Sequence, residues 1–310
     1  MKIAISVEGQ RGLTWARWQR LGLAVEAMEF AGLYRSDHFV DADPPDQNSL
    51  ELWSSLTWLA ASTQYIEFGP LVTPLSFRHP VHTARIARDL DDLSGGRLVL
   101  GVGAGWGGGL REHRMFGFDL LDVPQRFARF EEGLQVILGL LRSEQPLTFS
   151  GRYYQLEQAA LLPHPTRPGG PRLLIGGNGA QRVLPLAARY ADEWNSIYRT
   201  PKQNRALNLT LDELLLARGR DPRSVTRSQM KGVIFGRNQT ELEEKLAGRD
   251  AQALIETGLL VGGPAQIVDQ LAQLAEAGVQ KVILQWPGLD DLAGLEAFAG
   301  SVLPAVRSVV

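Results

Sequence analysis

A histidine stands beside a carboxylate at the end of a predicted short strand. Asp37 and His38 follow the run of residues 33–36. Histidine titrates near neutral pH and a neighbouring carboxylate can hold its proton, so this pair predicts acid–base chemistry, with His38 exchanging the proton and Asp37 orienting it. A polar loop that only hydrogen-bonds the next helix is the alternative. A second pair, Glu112 and His113, lies in a longer loop, where a solvated pair is at least as well supported as a catalytic one.

Glycine-rich segments follow two other predicted strands. Gly176, Gly177, Asn178 and Gly179 come between a strand and a helix predicted to begin at Ala180. Free amides and the positive end of a helix dipole at such a place favour an anion, most naturally a phosphate. After the clearest strand of the sequence, small residues would let a ligand approach the backbone, and a tryptophan could wall a pocket for an aromatic ring. These residues are Gly103, Ala104, Gly105 and Trp106.

The third predicted strand ends in a segment rich in glycine and proline, residues 69–74. This composition indicates a β-bulge or sharp bend that could press backbone against a flat ring, or simply a strand that ends early. Pro70, Leu71 and Thr73 are therefore further candidates for cofactor contact.

Strand-like and helix-like runs alternate through the chain and place these segments. Eight such alternations in about 300 residues are typical of a (β/α)8 TIM barrel, whose active site lies at the carboxyl ends of the strands. The rhythm breaks at residues 145–170, which we interpret as an insertion between strands four and five, a small hairpin and a Pro/Gly connector laid over the barrel mouth. We predict one domain, 1–310, with strands at residues 3–7, 33–36, 66–72, 98–103, 172–175, 194–197, 231–235 and 281–285.

Composition excludes several classes of protein. The formal net charge is −2, so there is no basic excess for nucleic acid. The chain has no cysteine, which excludes thiolate catalysis and Cys-ligated metal and fits a reducing cytoplasm. Its five histidines are scattered and predict no metal site. No run approaches the length of a membrane span.

In combination, these segments resemble the luciferase-like monooxygenase family, most of all the branch that uses the deazaflavin coenzyme F420. The resemblance covers most of the chain and keeps the family's order. It rests on residues 36–39, 78–80, 93–106, 112–113, 116–117, 151–154, 175–179 and 191–195.

The resemblance implies a TIM barrel in which the flavin or deazaflavin ring lies across the strand ends, with Asp37 and His38 near its reactive edge. It implies a non-proline cis peptide at the third-strand bulge, matched here to Pro70–Leu71, and a cofactor phosphate on the loop from Gly176 to Gly179. A homodimer and a small-molecule substrate are also implied.

One departure concerns the substrate. Sugar-phosphate dehydrogenases of this superfamily place a glutamate where Trp106 stands here, which suggests a more apolar pocket. Our hypothesis is hydride transfer between F420 and a small organic substrate. The rivals are an FMN-dependent monooxygenase, a non-catalytic flavin-binding protein and a phosphate-sugar barrel enzyme without a redox cofactor.

Overall fold

The computed structural model describes residues 1–307, and helices follow strands along nearly all of that length, as predicted. The strands are β1 Lys2–Val7, β2 Gly32–Arg35, β3 Glu67–Pro70, β4 Thr73–Pro74, β5 Val99–Gly103, β6 Leu147–Ser150, β7 Gln155–Ala159, β8 Arg172–Gly176, β9 Glu193–Ile197, β10 Thr226–Phe235, β11 Leu260–Gly262 and β12 Lys281–Gln285. The helices are α1 Trp15–Ala27, α2 Leu52–Ser62, α3 Pro80–Leu93, α4 Leu110–Phe116, α5 Val123–Arg142, α6 Val183–Tyr190, α7 Pro201–Leu216, α8 Gln239–Leu246, α9 Ala251–Glu256, α10 Pro264–Glu276 and α11 Leu292–Arg307.

The chain divides into two compact units. The first comprises Met1–Glu8, Ala16–Tyr34 and the chain from Gly176 on, and the second comprises Gly9–Trp15 and Arg35–Ile175. The assignment of residues 1–310 to one domain stays a prediction.

The first unit is built on parallel strands in the order β2, β1, β12, β10 and β9, with β11 also paired to β10. Parallel neighbours need crossover connections, and the helices supply them. The first residues of β9 and β12 form an ion pair, Lys281 Nζ to Glu193 Oε2 at 2.7 Å, with side chains 2% and 1% exposed. The Tyr34 hydroxyl lies 3.1 Å from the same ammonium. A polar cluster is thus enclosed at the amino ends of these strands.

The second unit carries β8, β5 and β4 in parallel pairing, and β3 joins β5 through the bridge between Phe68 and Leu98. All five residues of β5 are buried, which suits a parallel strand covered on both faces. Strand β3 approaches β5 so closely that a Cβ on Gly69 would lie 1.9 Å from the Val99 carbonyl oxygen. Only glycine fits there.

The insertion forms the predicted hairpin, since β6 and β7 pair antiparallel. Its turn is fastened to α5, because Glu132 accepts from the amides of Arg152 and Tyr153 at 2.9 and 2.8 Å. The connector is fastened to the end of α3, where Arg167 pairs with the buried Asp91 at 2.8 Å. The insertion therefore contacts α5 and α3, and its position over the strand ends stays a prediction. These charged contacts with the two helices determine its path.

Some element boundaries differ from the predictions. Strand β10 begins at Thr226 instead of residue 231, because buried polar residues in its first half find hydrogen-bond partners and hide the apolar pattern. Strand β11 was not predicted, since three residues are too few to show a period. Helix α6 begins at Val183 instead of Ala180, which lengthens the loop after β8.

Candidate active site

Asp37 lies just beyond β2 in a network of hydrogen bonds and ion pairs of the second unit. Its carboxylate accepts a hydrogen bond from the Thr73 hydroxyl at 2.6 Å and pairs with the guanidinium of Arg78. Arg78 also pairs with Glu51 at 3.0 Å. Burial opposes the charge on Arg78, but the two carboxylates outweigh it and raise the pKa of the guanidinium. The polar atoms of Asp37 and Thr73 are thus engaged with protein groups.

His38 turns to a different carboxylate. Its Nδ1 lies 2.7 Å from Oε1 of Glu112, and its side chain is 28% exposed. The prediction that Asp37 orients His38 is therefore wrong as to the contact. Successive side chains in extended backbone point in opposite directions, so neighbours in sequence reach different partners. The structure brings together His38 and Glu112, a residue that sequence reasoning did not connect with it.

Glu112 and His113 are both buried, so the interpretation of this second pair as solvated is also wrong. They lie on the short helix α4. His113 Nδ1 bonds the Gly109 carbonyl at 2.7 Å and its Nε2 lies 2.9 Å from the Ser76 hydroxyl. Three loops supply aromatic rings that pack against one another and against His113, and α4 supplies a fourth ring, Phe116; the loop residues are Phe39, Phe77 and Phe118.

The bend after β3 is present, but the cis peptide lies between Leu71 and Val72. The prediction of Pro70–Leu71 is wrong by one bond. The amide of Leu71 still donates to the Arg35 carbonyl at 2.8 Å, which keeps the chain in register with its neighbour through Leu71. Pro70 and Leu71 are buried, and their contact with a cofactor stays a prediction.

The segment after β5 is narrow at its start and open further on. A Cβ on Gly103 would lie 2.7 Å from Cγ2 of Val72, so the strand end has no room for a side chain. Gly105 has a φ of +86°, a conformation that favours glycine. Ala104 is partly exposed and Trp106 is 64% exposed, with its ring over Gly108. The assignment of Trp106 to a pocket wall stays a prediction.

The glycine loop of the first unit, residues 176–182, is fastened to β9. The amide of Gly177 donates to the Asn195 carbonyl at 2.9 Å. Asn178 uses its side chain on both backbone groups of Ile197, at 2.8 Å to the amide and 2.9 Å to the carbonyl. Asn178 therefore fixes the loop to β9 with its side chain.

The last part of this loop lies at the surface. Gly179, Ala180 and Gln181 are exposed, and within the described chain no backbone carbonyl accepts from their N–H groups. The carbonyl of Gly179 instead accepts from the amide of Val183 at 2.8 Å, where α6 begins. N–H groups beside a helix start suit an anion, and the binding of a phosphate by the loop from Gly176 to Gly179 stays a prediction.

Sequence reasoning missed a polar chain at the carboxyl ends of strands in the first unit. The Tyr198 hydroxyl donates to Gln285, and the amide of Gln285 donates to Glu8. Glu8 and Gln285 stand at or directly after strand ends in the sequence, so the rule that selected His38 could have found them. The same rule would have found Tyr198, which directly follows β9, whereas Glu112 had no comparable signal.

Among residues 1–307, no three or more His, Cys, Asp or Glu side chains are grouped to hold a metal ion. No helix in the same part of the chain is long and apolar enough to cross a membrane.

Comparison with known proteins identifies the class. The model of the luciferase-like monooxygenase family matches residues 2–253, and the chain belongs to this family. It is an oxidoreductase of a class that includes F420-dependent enzymes.

Two relatives and one solved structure illustrate the likeness. The phthiodiolone/phenolphthiodiolone dimycocerosates ketoreductase of Mycobacterium kansasii is 31% identical over 274 residues, which cover 86% of this chain and 71% of that protein. The F420-dependent glucose-6-phosphate dehydrogenase of Intrasporangium calvum is 25% identical over 323 residues, 92% of each chain. An F420-dependent secondary alcohol dehydrogenase, solved with an F420–acetone adduct, has a TM-score of 0.83 at 20% identity and covers 99% of this chain and 100% of that one. The structural likeness confirms the predicted (β/α)8-barrel.

Proposed function

We propose that this protein is an F420-dependent oxidoreductase that interconverts a ketone and the corresponding alcohol. The observation that supports it most directly is His38, an imidazole at a strand end with one nitrogen bonded to a carboxylate and a partly exposed side chain. Reduction of a carbonyl group needs a proton at oxygen as well as a hydride at carbon, and an imidazole supplies or accepts that proton near neutral pH. The F420-dependent and ketone-reducing relatives support the choice of cofactor and substrate.

The residues of the chain fit an anionic cofactor. The backbone amides of the exposed residues Gly179, Ala180 and Gln181 would donate hydrogen bonds to its phosphate. Bound F420 would supply the hydride, as cofactors carry the chemistry that side chains cannot. The chain would orient the substrate and move the proton through Nε2 of His38.

The first test is titration of the purified full-length protein with F420 and, separately, with FMN, followed by absorbance and fluorescence. We expect F420 to bind and FMN to bind far more weakly. Oxidation of reduced F420 by a panel of ketones then gives turnover. His38→Ala should lower turnover by about 10²- to 10⁴-fold while F420 still binds. His164→Ala, which removes an exposed imidazole from the connector, is the matched control and should leave turnover unchanged.

Each other outcome points to a rival. Tight binding of FMN alone with oxygen consumption would make the protein a monooxygenase. Binding of a cofactor with no turnover on any substrate would favour a non-catalytic flavin-binding protein. Failure to bind either cofactor would favour a phosphate-sugar enzyme. Full activity of His38→Ala would remove the proposed proton route.

We also propose a homodimer in the cytoplasm. Large apolar side chains stand exposed on α7, where Leu209 and Leu216 are 60% and 63% exposed, and such surface favours association. The absence of cysteine suits a reducing compartment. Light scattering during gel filtration tests the first point, since a mass near 34.1 kDa would indicate a monomer. Fractionation of the source cells tests the second.

A further inference from the structure

Glu112 makes two hydrogen bonds to adjacent residues of the loop after β2. Its Oε1 lies 2.7 Å from Nδ1 of His38, and its Oε2 accepts from the amide of Phe39 at 3.1 Å. The carboxylate is 3% exposed, so little water competes for these bonds. One side chain of α4 thus fixes both the backbone and the imidazole of a loop that lies 74 residues away in sequence.

This contact has a defined effect on an imidazole. A carboxylate at Nδ1 accepts the N–H of the neutral ring, which keeps that proton on Nδ1 and leaves the lone pair on Nε2. It also stabilises the protonated ring, because an opposite charge within about 4–6 Å favours the charged form. Both the tautomer and the proton affinity of His38 therefore depend on Glu112.

Two charged residues of the neighbouring segments have partners of their own. Asp41, on the same loop as His38, interacts with it electrostatically, and that carboxylate is held by Arg11 at 2.8 Å. On α4, Arg111 pairs with Asp46 at 2.7 Å. Glu112 contacts the ring directly at 2.7 Å, so its removal should change the state of the imidazole.

We propose that Glu112 is a positioning residue that fixes the Nδ1–H tautomer of His38 and raises its proton affinity, so that Nε2 is the atom that exchanges the proton. This role depends on the proposed function in one respect, namely that His38 transfers a proton during turnover. The state of the ring itself can be measured without turnover.

The test is nitrogen-15 NMR of histidine-labelled full-length protein across pH, with five histidines to assign and His38→Gln to identify the resonance. In the parent protein we expect the neutral ring to carry its proton on Nδ1. In Glu112→Ala the neutral ring should shift toward the Nε2–H tautomer, and the pKa of His38 should fall by about one unit. Glu112→Gln keeps the size and an acceptor oxygen without the charge, so the tautomer should persist while the pKa still falls. This variant decides the test if Glu112→Ala fails to fold.

Two glycines of the preceding turn give a matched pair of variants. A Cβ on Gly109 would lie 2.9 Å from Oε1 of Glu112, whereas a Cβ on Gly107 meets nothing within 4 Å. Gly109 has φ −80° and ψ 10°, which alanine adopts readily. Gly109→Ala should therefore displace the carboxylate and lower the pKa of His38, and Gly107→Ala should not.

Titration curves of His38 that superimpose in the parent protein, Glu112→Gln and Glu112→Ala would overturn the proposal. If instead the NMR changes occur but the parent protein reduces no ketone with F420, the positioning role holds and the proposed function fails. If turnover is present, the acidic limb of its pH profile should move with the NMR pKa in each variant.

Discussion

Replacing Lys281 with methionine would leave a carboxylate of the first unit buried without its counter-charge. The ammonium lies 2.7 Å from Glu193 Oε2 and 3.1 Å from the Tyr34 hydroxyl. All three residues are almost fully buried. Neither water nor another cation can reach Glu193 easily once the lysine is gone.

The expected loss is large because a lone buried charge is far less stable than a buried pair. Removing one partner of such a pair typically costs about 3–5 kcal/mol. Replacing both partners by apolar residues of similar size is often close to neutral. We therefore expect Glu193→Leu in the Lys281→Met background to recover at least about 2 kcal/mol of that loss.

Urea unfolding followed by tryptophan fluorescence measures these differences, and Trp194 reports from the strand that carries Glu193. The free energy of unfolding comes from linear extrapolation. Arg17→Met is the matched control, since Arg17 pairs with Asp290 at 2.6 Å on the surface and should cost less than about 1 kcal/mol. The reasoning is refuted if Lys281→Met is no more destabilising than Arg17→Met and the double variant recovers nothing.

Two further predictions concern polar contacts of the first unit. Burial lowers the pKa of Lys231 to about 8 from 10.5, although its ammonium bonds the carbonyls of Arg199 and Gly258. Between these two pH values the unfolded chain binds a proton that the folded chain has lost. The free energy of unfolding, relative to that of Lys231→Met, should therefore rise by up to about 3 kcal/mol as the pH increases from 8 to 10.5. A difference between the two proteins that stays constant over this pH range would contradict the prediction. Asn178→Asp keeps the acceptor for the Ile197 amide but sets a carboxylate against the Ile197 carbonyl. The Kd for F420, measured by fluorescence titration, should therefore rise about tenfold. An unchanged Kd would show that the loop does not hold the cofactor.

Continuous apolar runs made much of the fold predictable. Strand β12 lies at the predicted residues and β5 differs by one residue, because a strand buried on both faces needs apolar side chains throughout. The start of β10 was missed for the opposite reason. Arg227 and Gln229 are buried there and bonded to carbonyl groups, so their polarity masks a strand.

The site was predictable in its parts but not in its pairings. His38 was found from its place at a strand end. Its partner Glu112 was not, since a contact across 74 residues depends on how α4 packs and leaves no local pattern. Asp37 was assigned to His38 by adjacency, and the alternation of extended backbone sends it to Thr73 instead.

The contacts of the insertion and of α4 indicate that stability and reactivity could be engineered in different segments of this enzyme. Residues 145–170 are fastened to α5 and α3 through Glu132 and Asp91, so changes there act on the stability of those helices. The imidazole of His38 is bonded to Glu112 of α4, a helix of seven residues. Random substitutions meant to change thermal stability should therefore be made in the insertion. Those meant to change reactivity should be made in residues 107–118, a segment short enough to vary without redesigning the barrel.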